Sequence, residues 1–416
     1  MVVRGLETTR KALAAAVAST TLCVALVSPM AQAQETTAEV RGVVVNSTGT
    51  PLEGATIIVT SKSTGISKTV EANANGGYSV RGLPAGVVYD VEVTADGLQK
   101  SMTKDVSLTV GQSAVLNYNL STVEEVLVTG TQVVVAQTAV GPNAIFDIAA
   151  LQDSPSVNRN INDIIQQDPR LYVDQSRGDI DAVQCNGANP RYNSLTVDGV
   201  RLNDGFGLNS NGYPTQRMPF PYDAISSVAV EMAPMSVVYG GFSACNINAV
   251  TKTGRNEIYG SAFFDYGSDQ LRGDKLEGDS IAQQDYSETR YGFELGGALI
   301  QDKLFFYGAY EKYDGADLNN RGAIGSGAVN EVPVTQAELD RIAQIARDVY
   351  GYEPGRTVSE AFDFDDEKYL VKLDWYASDS QRLSMTYMHN DSFNFTPSDG
   401  DLDEFEFDKH FYKRGA

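Results

Sequence analysis

The residues best suited to chemistry are sparse in this chain of 416 residues. Its two histidines, His389 and His410, fall in different kinds of segment, so neither a histidine metal site nor a Ser-His-Asp relay has much to build on. The run DGDLDEFEFD from Asp399 to Asp408 offers the clustered oxygens a hard cation such as Ca²⁺ wants, but without the ordered ligand spacing of a calcium loop. It reads first as a solvated acidic loop. GAIGSG at Gly322 to Gly327 lacks the preceding strand and following lysine of a phosphate loop. Cys185 and Cys245 lack the CxxC spacing that favours zinc. No catalytic residue, metal or cofactor is assigned. What remains is a covalent possibility: with Cys23 in a segment removed on export, Cys185 and Cys245 are an even pair in an oxidising compartment, which favours a disulfide over two buried free thiols.

Export is read from the N-terminus. Arg4, Arg10 and Lys11 precede an apolar run from Ala12 to Val27, and Ala31-Gln32-Ala33 supplies the small residues of a cleavage site, so residues 1–33 read as a signal peptide. Ser19, Thr20, Thr21 and Ser28 interrupt the run and argue against a permanent anchor. No later segment is apolar for long enough to cross a bilayer as a helix, so any crossing is made by strands. A net charge of −22 argues against nucleic acid as a partner and suits solvated extracellular loops.

The elements that must position these residues follow from hydrophobic periodicity. From Ala38 to Leu120, short β-prone runs such as EVRGVVV, TIIVTS and VYDVEV are broken by Gly, Pro and Asn turns. Val91 and Val93 alternate with Glu92 and Thr94, as on a half-buried strand, and the whole reads as a small β-sandwich. Next, NRNINDIIQQDPRLYVD predicts a short amphipathic helix with Ile161, Ile164 and Ile165 on one face and Pro169 ending it. Asp198-Gly199 is the tight-turn dipeptide of a hairpin. After Arg255 longer strands begin: Tyr369, Val371, Leu373 and Trp375 share one face while Lys372 and Asp374 take the other, and Leu383, Met385 and Tyr387 repeat the pattern. That is the apolar-out, polar-in alternation of a membrane barrel. The intervening stretches, Gly267 to Thr289 and Asp314 to Asp366, read as long acidic loops. The second contains a helix opened by a capping box, Thr335 to Glu338, with Leu339, Ile342, Ile345 and Val349 on one face.

LTVDGVRLND at Leu195 to Asp204, SVVYGGFSACNINAVTKTG at Ser236 to Gly254 and EEVLVTGT at Glu124 to Thr131, in that architecture, resemble the TonB-dependent outer-membrane receptors. GTPLEGA, GGYSVRGLPAG and VLNYNL resemble the carboxypeptidase regulatory-like sandwich found ahead of the plug in an Oar-like subgroup of that family. The resemblance implies a mainly β chain: an N-terminal β-sandwich (34–122), a TonB box and linker (123–140), an α+β plug domain (141–254) and the first strands of a transmembrane antiparallel β-barrel (255–416). About six strands follow Arg255, where plugged barrels of this kind close with about 22, so the chain reads as the N-terminal portion of a longer receptor.

The implied plug motif residues are Asp198, Gly199, Tyr239, Gly240 and Gly241, and the implied box is Glu125, Val126, Leu127, Val128, Thr129 and Gly130. A box needs an extended segment with free backbone groups, because the coupling protein adds it as a strand to its own sheet. An ordinary strand closing the sandwich is the other reading of the same residues. The implied function is a receptor that imports an unknown extracellular substrate into the periplasm, with a TonB-type energy-coupling protein and outer-membrane lipid as partners. The alternative is an outer-membrane structural or adhesion protein of Oar type without active transport. A periplasmic carbohydrate-binding module would need a platform of exposed aromatics in the sandwich and no barrel strands.

Overall fold

The computed structural model describes residues 37–108, 110, 113–121, 143–146, 148–154, 156, 159–174, 182–205, 212–215, 217–233, 240–273, 275–280, 286–317, 321–326, 330–354, 362–378, 381–396 and 412–415. The signal peptide, the Glu125–Gly130 box, Tyr239, His410 and the Asp399–Asp408 run lie outside them.

Alternating apolar side chains build the first unit from β1 (Thr37–Asn46), β2 (Thr56–Ser61), β3 (Ser67–Glu71), β4 (Gly77–Pro84), β5 (Val87–Thr94), β6 (Ser101–Leu108), β7 (Ser113–Val115) and β8 (Tyr118–Leu120). β4 pairs antiparallel with β1, while β7 and β8 run parallel to successive stretches of the same strand. The facing sheet has the order β3-β2-β5-β6. Val91 and Val93 lie in the core between the sheets, whereas Glu92 and Thr94 are half-buried, as the period-2 pattern predicts.

The middle unit contains β9 (Asn143–Phe146), α1 (Ile148–Asp153), α2 (Asn162–Ile165), β10 (Leu171–Asp174), β11 (Ala182–Cys185), β12 (Ser194–Val197), β13 (Val200–Arg201), β14 (Ile225–Glu231) and β15 (Asn246–Thr251). Its main sheet has the order β13-β12-β15-β14-β9, leaving β9 on an edge. β12 and β15 are parallel, and the other pairs are antiparallel. Ile161, Ile164 and Ile165 are all buried beneath this sheet with Leu195, Phe220 and Ile247. α2 stops at Ile165, so the chain has already left the helix before Pro169 arrives. β10 and β11 form a separate hairpin, and a bond between Cys185, at its end, and Cys245, just before β15, ties it to the main sheet.

The C-terminal unit is a six-stranded antiparallel meander whose spatial order follows the chain. Its strands are β16 (Tyr259–Ser268), β19 (Ser287–Ile300), β20 (Leu304–Asp317), β23 (Phe362–Ser378), β24 (Gln381–Thr396) and β25 (Tyr412–Gly415). Small pairs sit in the loops between them: β17 (Lys275–Leu276) with β18 (Asp279–Ser280), and β21 (Arg321–Ala323) with β22 (Asn330–Val332). Phe264, Phe293, Leu295, Val371, Trp375, Leu383, Met385 and Tyr387 are exposed on one face. On the other, Glu294, Glu311, Asp366, Lys368, Lys372 and Asp374 are buried. Aromatic rings pack across neighbouring strands on the exposed face: Phe293 stacks on Tyr310 at 5.6 Å and Tyr369 lies tilted against His389 at 4.9 Å between centroids.

The loop helix α3 (Gln336–Tyr350) carries the expected capping box, Thr335 with Glu338, and ends at Gly351 in a left-handed conformation. Its packing differs from the expectation. Leu339 and Ala343 are buried against Ala323, while Ile342, Ile345 and Val349 are exposed, because the helix rests on the small β21–β22 pair and that support covers only one row of side chains.

Candidate functional site

The middle unit meets the inner face of the six-stranded sheet through polar groups, and each is aimed by a local feature of the chain. The Asp198-Gly199 turn has φ of 47° and 78°, a two-residue hairpin of the type that matches strand twist. The turn points the Asp198 carboxylate at the end of β15, where it accepts from the Thr251 backbone N–H at 2.9 Å and the Thr251 hydroxyl at 2.6 Å. Lys372, inward on β23, closes the triangle, with Nζ 3.0 Å from Asp198 and 2.8 Å from the Thr251 hydroxyl oxygen.

One residue along, Lys252 reaches Glu294 on β19 at 2.8 Å. That carboxylate also accepts from the Tyr307 hydroxyl at 2.6 Å and the Ser261 hydroxyl at 3.1 Å. Thr253 donates to Asp374 at 2.5 Å, and Arg382 donates to the other oxygen of Asp374 at 2.6 Å. Three consecutive residues therefore contact three inward side chains on two strands.

A second cluster forms where the turn at Tyr222–Ala224 approaches β20. Arg159, held at φ 50°, pairs with Asp223 at 2.6 Å and lies 3.5 Å above the Phe263 ring. Burial pushes the Asp223 carboxyl above its ordinary range, against the opposing pull of Arg159. Glu311 accepts from the Tyr222 backbone N–H at 3.0 Å and lies 3.4 Å from Lys368, which in turn pairs with Asp366 at 3.0 Å and donates to the Met218 carbonyl. Among the described residues the apolar part of the contact is smaller: Ala224 against Tyr307, Ala309 and Leu370, with Met388 of β24 packed against both this cluster and the plug core.

Of the sequence-derived plug residues, Asp198 and Gly199 form the hairpin at this interface. Gly241 has φ 76° and its carbonyl accepts from the Arg201 guanidinium at 2.6 Å, so an added Cβ would meet Arg201. Gly240 is exposed with open space around it, and Tyr239 lies outside the described residues.

Comparison with known proteins places these units. Residues 39–121 match the carboxypeptidase regulatory-like domain, and residues 135–245 match the TonB-dependent receptor plug domain. The chain carries a carboxypeptidase regulatory-like domain followed by a TonB-dependent receptor plug domain. It is 24% identical over 276 residues to the TonB-dependent transporter Oar of Myxococcus xanthus, covering 62% of this chain and 25% of that one. Among solved structures it is similar to the outer-membrane transporter YddB from Escherichia coli, with TM-score 0.44 and 15% identity over 61% of this chain and 33% of that one. The siderophore receptor PirA from Acinetobacter baumannii gives a TM-score of 0.42 and 18% identity over 64% and 33%. The chain thus spans about a quarter of the curated relative it matches.

The middle unit is therefore the plug domain, and the meander turns its polar face toward it. The charged groups at their interface went unassigned in the sequence. A signal was present, since Asp366, Lys368, Lys372 and Asp374 all fall on the inward parity of one strand, but nothing local reveals their partners. We expect Lys372→Met to weaken plug docking by about 2 kcal/mol. Removing one member of a fully buried pair costs roughly 3–5 kcal/mol; Asp198, with its side chain 19% exposed, keeps both Thr251 contacts and loses less. A double-mutant cycle with Asp198→Asn, read by thermal unfolding of the receptor, checks this. Additive single effects would mean that the pair is not coupled.

Proposed function

We propose that this chain is the plug-bearing portion of an outer-membrane receptor that imports an extracellular solute into the periplasm, using energy delivered by a TonB-type coupling protein. The observation that carries the reading is the character of the plug seat. Among the described residues the plug meets the sheet mainly through ion pairs and hydrogen bonds, with apolar contacts around Ala224 and Met388, and the polar groups can exchange partners with water as the plug shifts. An interface packed like a domain core would resist that shift.

In this reading the domains run 34–122, 123–140, 141–254 and 255–416. The sandwich and the box, Glu125 to Gly130, lie in the periplasm, where the box is captured by strand addition. The exposed apolar band carrying Phe293, Val371, Trp375 and Met385 contacts lipid. Substrate meets the long loops and the plug apex, and no catalytic group takes part. Oar bears the name of a transporter, which favours import over a purely structural or adhesive role.

The test is binding and uptake of a labelled panel of siderophores, oligosaccharides, peptides and cobalamin by cells expressing the full-length gene, with and without a protonmotive force. Uptake that collapses when the force is dissipated is the expected result. Surface binding with no uptake of any bound compound under either condition would point to the structural reading instead.

A further inference from the structure

The sandwich does not hang free of the receptor: it touches both the plug and the barrel rim. Its β2–β3 turn meets Asn256, in the connector between the last plug strand and the first barrel strand. The Asn256 backbone N–H donates to the Ser63 carbonyl at 2.9 Å, and its side-chain amide donates to the Thr64 carbonyl at 2.7 Å. The same amide donates to Asp302, in the β19–β20 turn, at 2.7 Å, while the Asp302 backbone N–H returns a bond to the Asn256 side-chain oxygen at 3.0 Å. Gly65 (φ 72°) comes so close that an added Cβ would lie 2.6 Å from the Asp302 carboxylate. One asparagine thus ties together the sandwich, the plug–barrel connector and a barrel turn.

The second contact is apolar. Ala85 and Val110 of the sandwich pack with Ala229, Val250 and Ile145 of the plug sheet. Ile145 belongs to β9, an edge strand of that sheet, which among the described residues pairs only with β14. Beside it, Gly86 lies against Ser226, where an added Cβ would stand 3.2 Å from the serine Cβ. The chain leaves the sandwich at Ser121 and enters the plug at β9, so both ends of the segment bearing the box are anchored in bodies that touch each other.

We propose that the sandwich is a built-in clamp on the plug, an autoinhibitory contact that covers the edge strand β9 and pins it to the barrel rim through Asn256, so that the plug edge opens only after the sandwich departs. An edge strand paired on one side is the part of a sheet that opens most easily, and packing of the half-buried Ile145 against the sandwich is what restrains it. The clamp's value as a control on import rests on the energy-coupled reading above, but the contact itself is tested without any uptake assay.

The experiment is amide hydrogen exchange of the full-length receptor in outer-membrane vesicles. Asn256→Ala combined with Gly65→Ala removes the amide side chain and puts a methyl against Asp302. Exchange in β9 and β14 is expected to rise about tenfold, with β12, which contributes no residue to the cluster around Ala85 and Val110, unchanged. Gly86→Cys with Ser226→Cys places two Cβ atoms within a few tenths of an ångström of the ~3.5–4.5 Å a disulfide spans. Oxidised, this variant is expected to slow β9 exchange about tenfold relative to the same protein reduced. Equal exchange in loosened, native and locked receptors would overturn the clamp. If the exchange results hold but no compound is taken up under any condition, the clamp stands and the import reading fails.

Discussion

Replacing Val128 with proline is expected to abolish energy-dependent uptake while leaving substrate binding at the cell surface and barrel assembly intact. If Glu125 to Gly130 is captured by adding a strand to the coupling protein, its affinity comes largely from backbone N–H and C=O groups. Side-chain changes that keep β-propensity, such as Val128→Ile, should then be mild. Proline removes a donor and fixes φ, so it strikes the ladder itself. In the competing reading the same residues form a core strand of the sandwich, and the proline would unfold that domain. Every described strand of the sandwich ends by Leu120, eight residues before Val128, and the two sheets already enclose Val40, Ile57, Val91 and Val106. Uptake and protease resistance of the sandwich, measured on the one variant, separate the two. Lost uptake with a resistant sandwich fits the box; normal uptake with a protease-sensitive sandwich defeats it.

Legibility in the sequence tracked the range over which each feature is determined. The alternation around Val91, the Asp198-Gly199 turn and the Thr335–Glu338 capping box are each set by residues a few positions apart, and each is found where its local pattern puts it. The face of α3 shows the limit of that logic. Periodicity groups Leu339, Ile342, Ile345 and Val349, but only the partner surface decides which are covered, and the β21–β22 pair is wide enough for Leu339 and Ala343 alone. Strand ends were also set from afar: β20 continues to Asp317 and β23 begins at Phe362, because Asp317 and Phe362 are partners in the ladder although both fall in stretches that read as acidic loop.

The functional interface was the least legible part, for the same reason. Lys372 and Asp198 are 174 residues apart, and Asn256 reaches Thr64 across 192. Inward parity announces that a charge on β23 faces the lumen, yet which plug carboxylate neutralises it depends on how two units seat against each other. Composition was no guide either, since the net charge of −22 says nothing of the compensated pairs inside.

The second large effect concerns Cys185 and Cys245. Their Cα atoms are 6.0 Å apart, within the span a disulfide bridges, and the loop between them covers 60 positions. In the chain-entropy account, closing a loop of that length stabilises the fold by about 4 kcal/mol, mainly by restricting the unfolded chain. The structural consequence is local. The β10–β11 hairpin pairs with no other strand among the described residues, and the bond fastens its end to the start of β15, while the side-chain amide of Asn193, just before β12, donates to the Val183 carbonyl at 2.7 Å. Cys185→Ser with Cys245→Ser is therefore expected to lower the plug's unfolding midpoint by more than about 10 °C, with the barrel transition unmoved. Both cysteines are buried, so a mild reductant should act slowly on the folded receptor and rapidly once it unfolds. Unfolding in strong reductant should bring the native protein down to the level of the serine variant. Thiol titration of the exported, denatured receptor without reductant gives the decisive count: no free thiol supports the bridge, whereas two free thiols and a serine variant of native stability would show that the pair is unbonded.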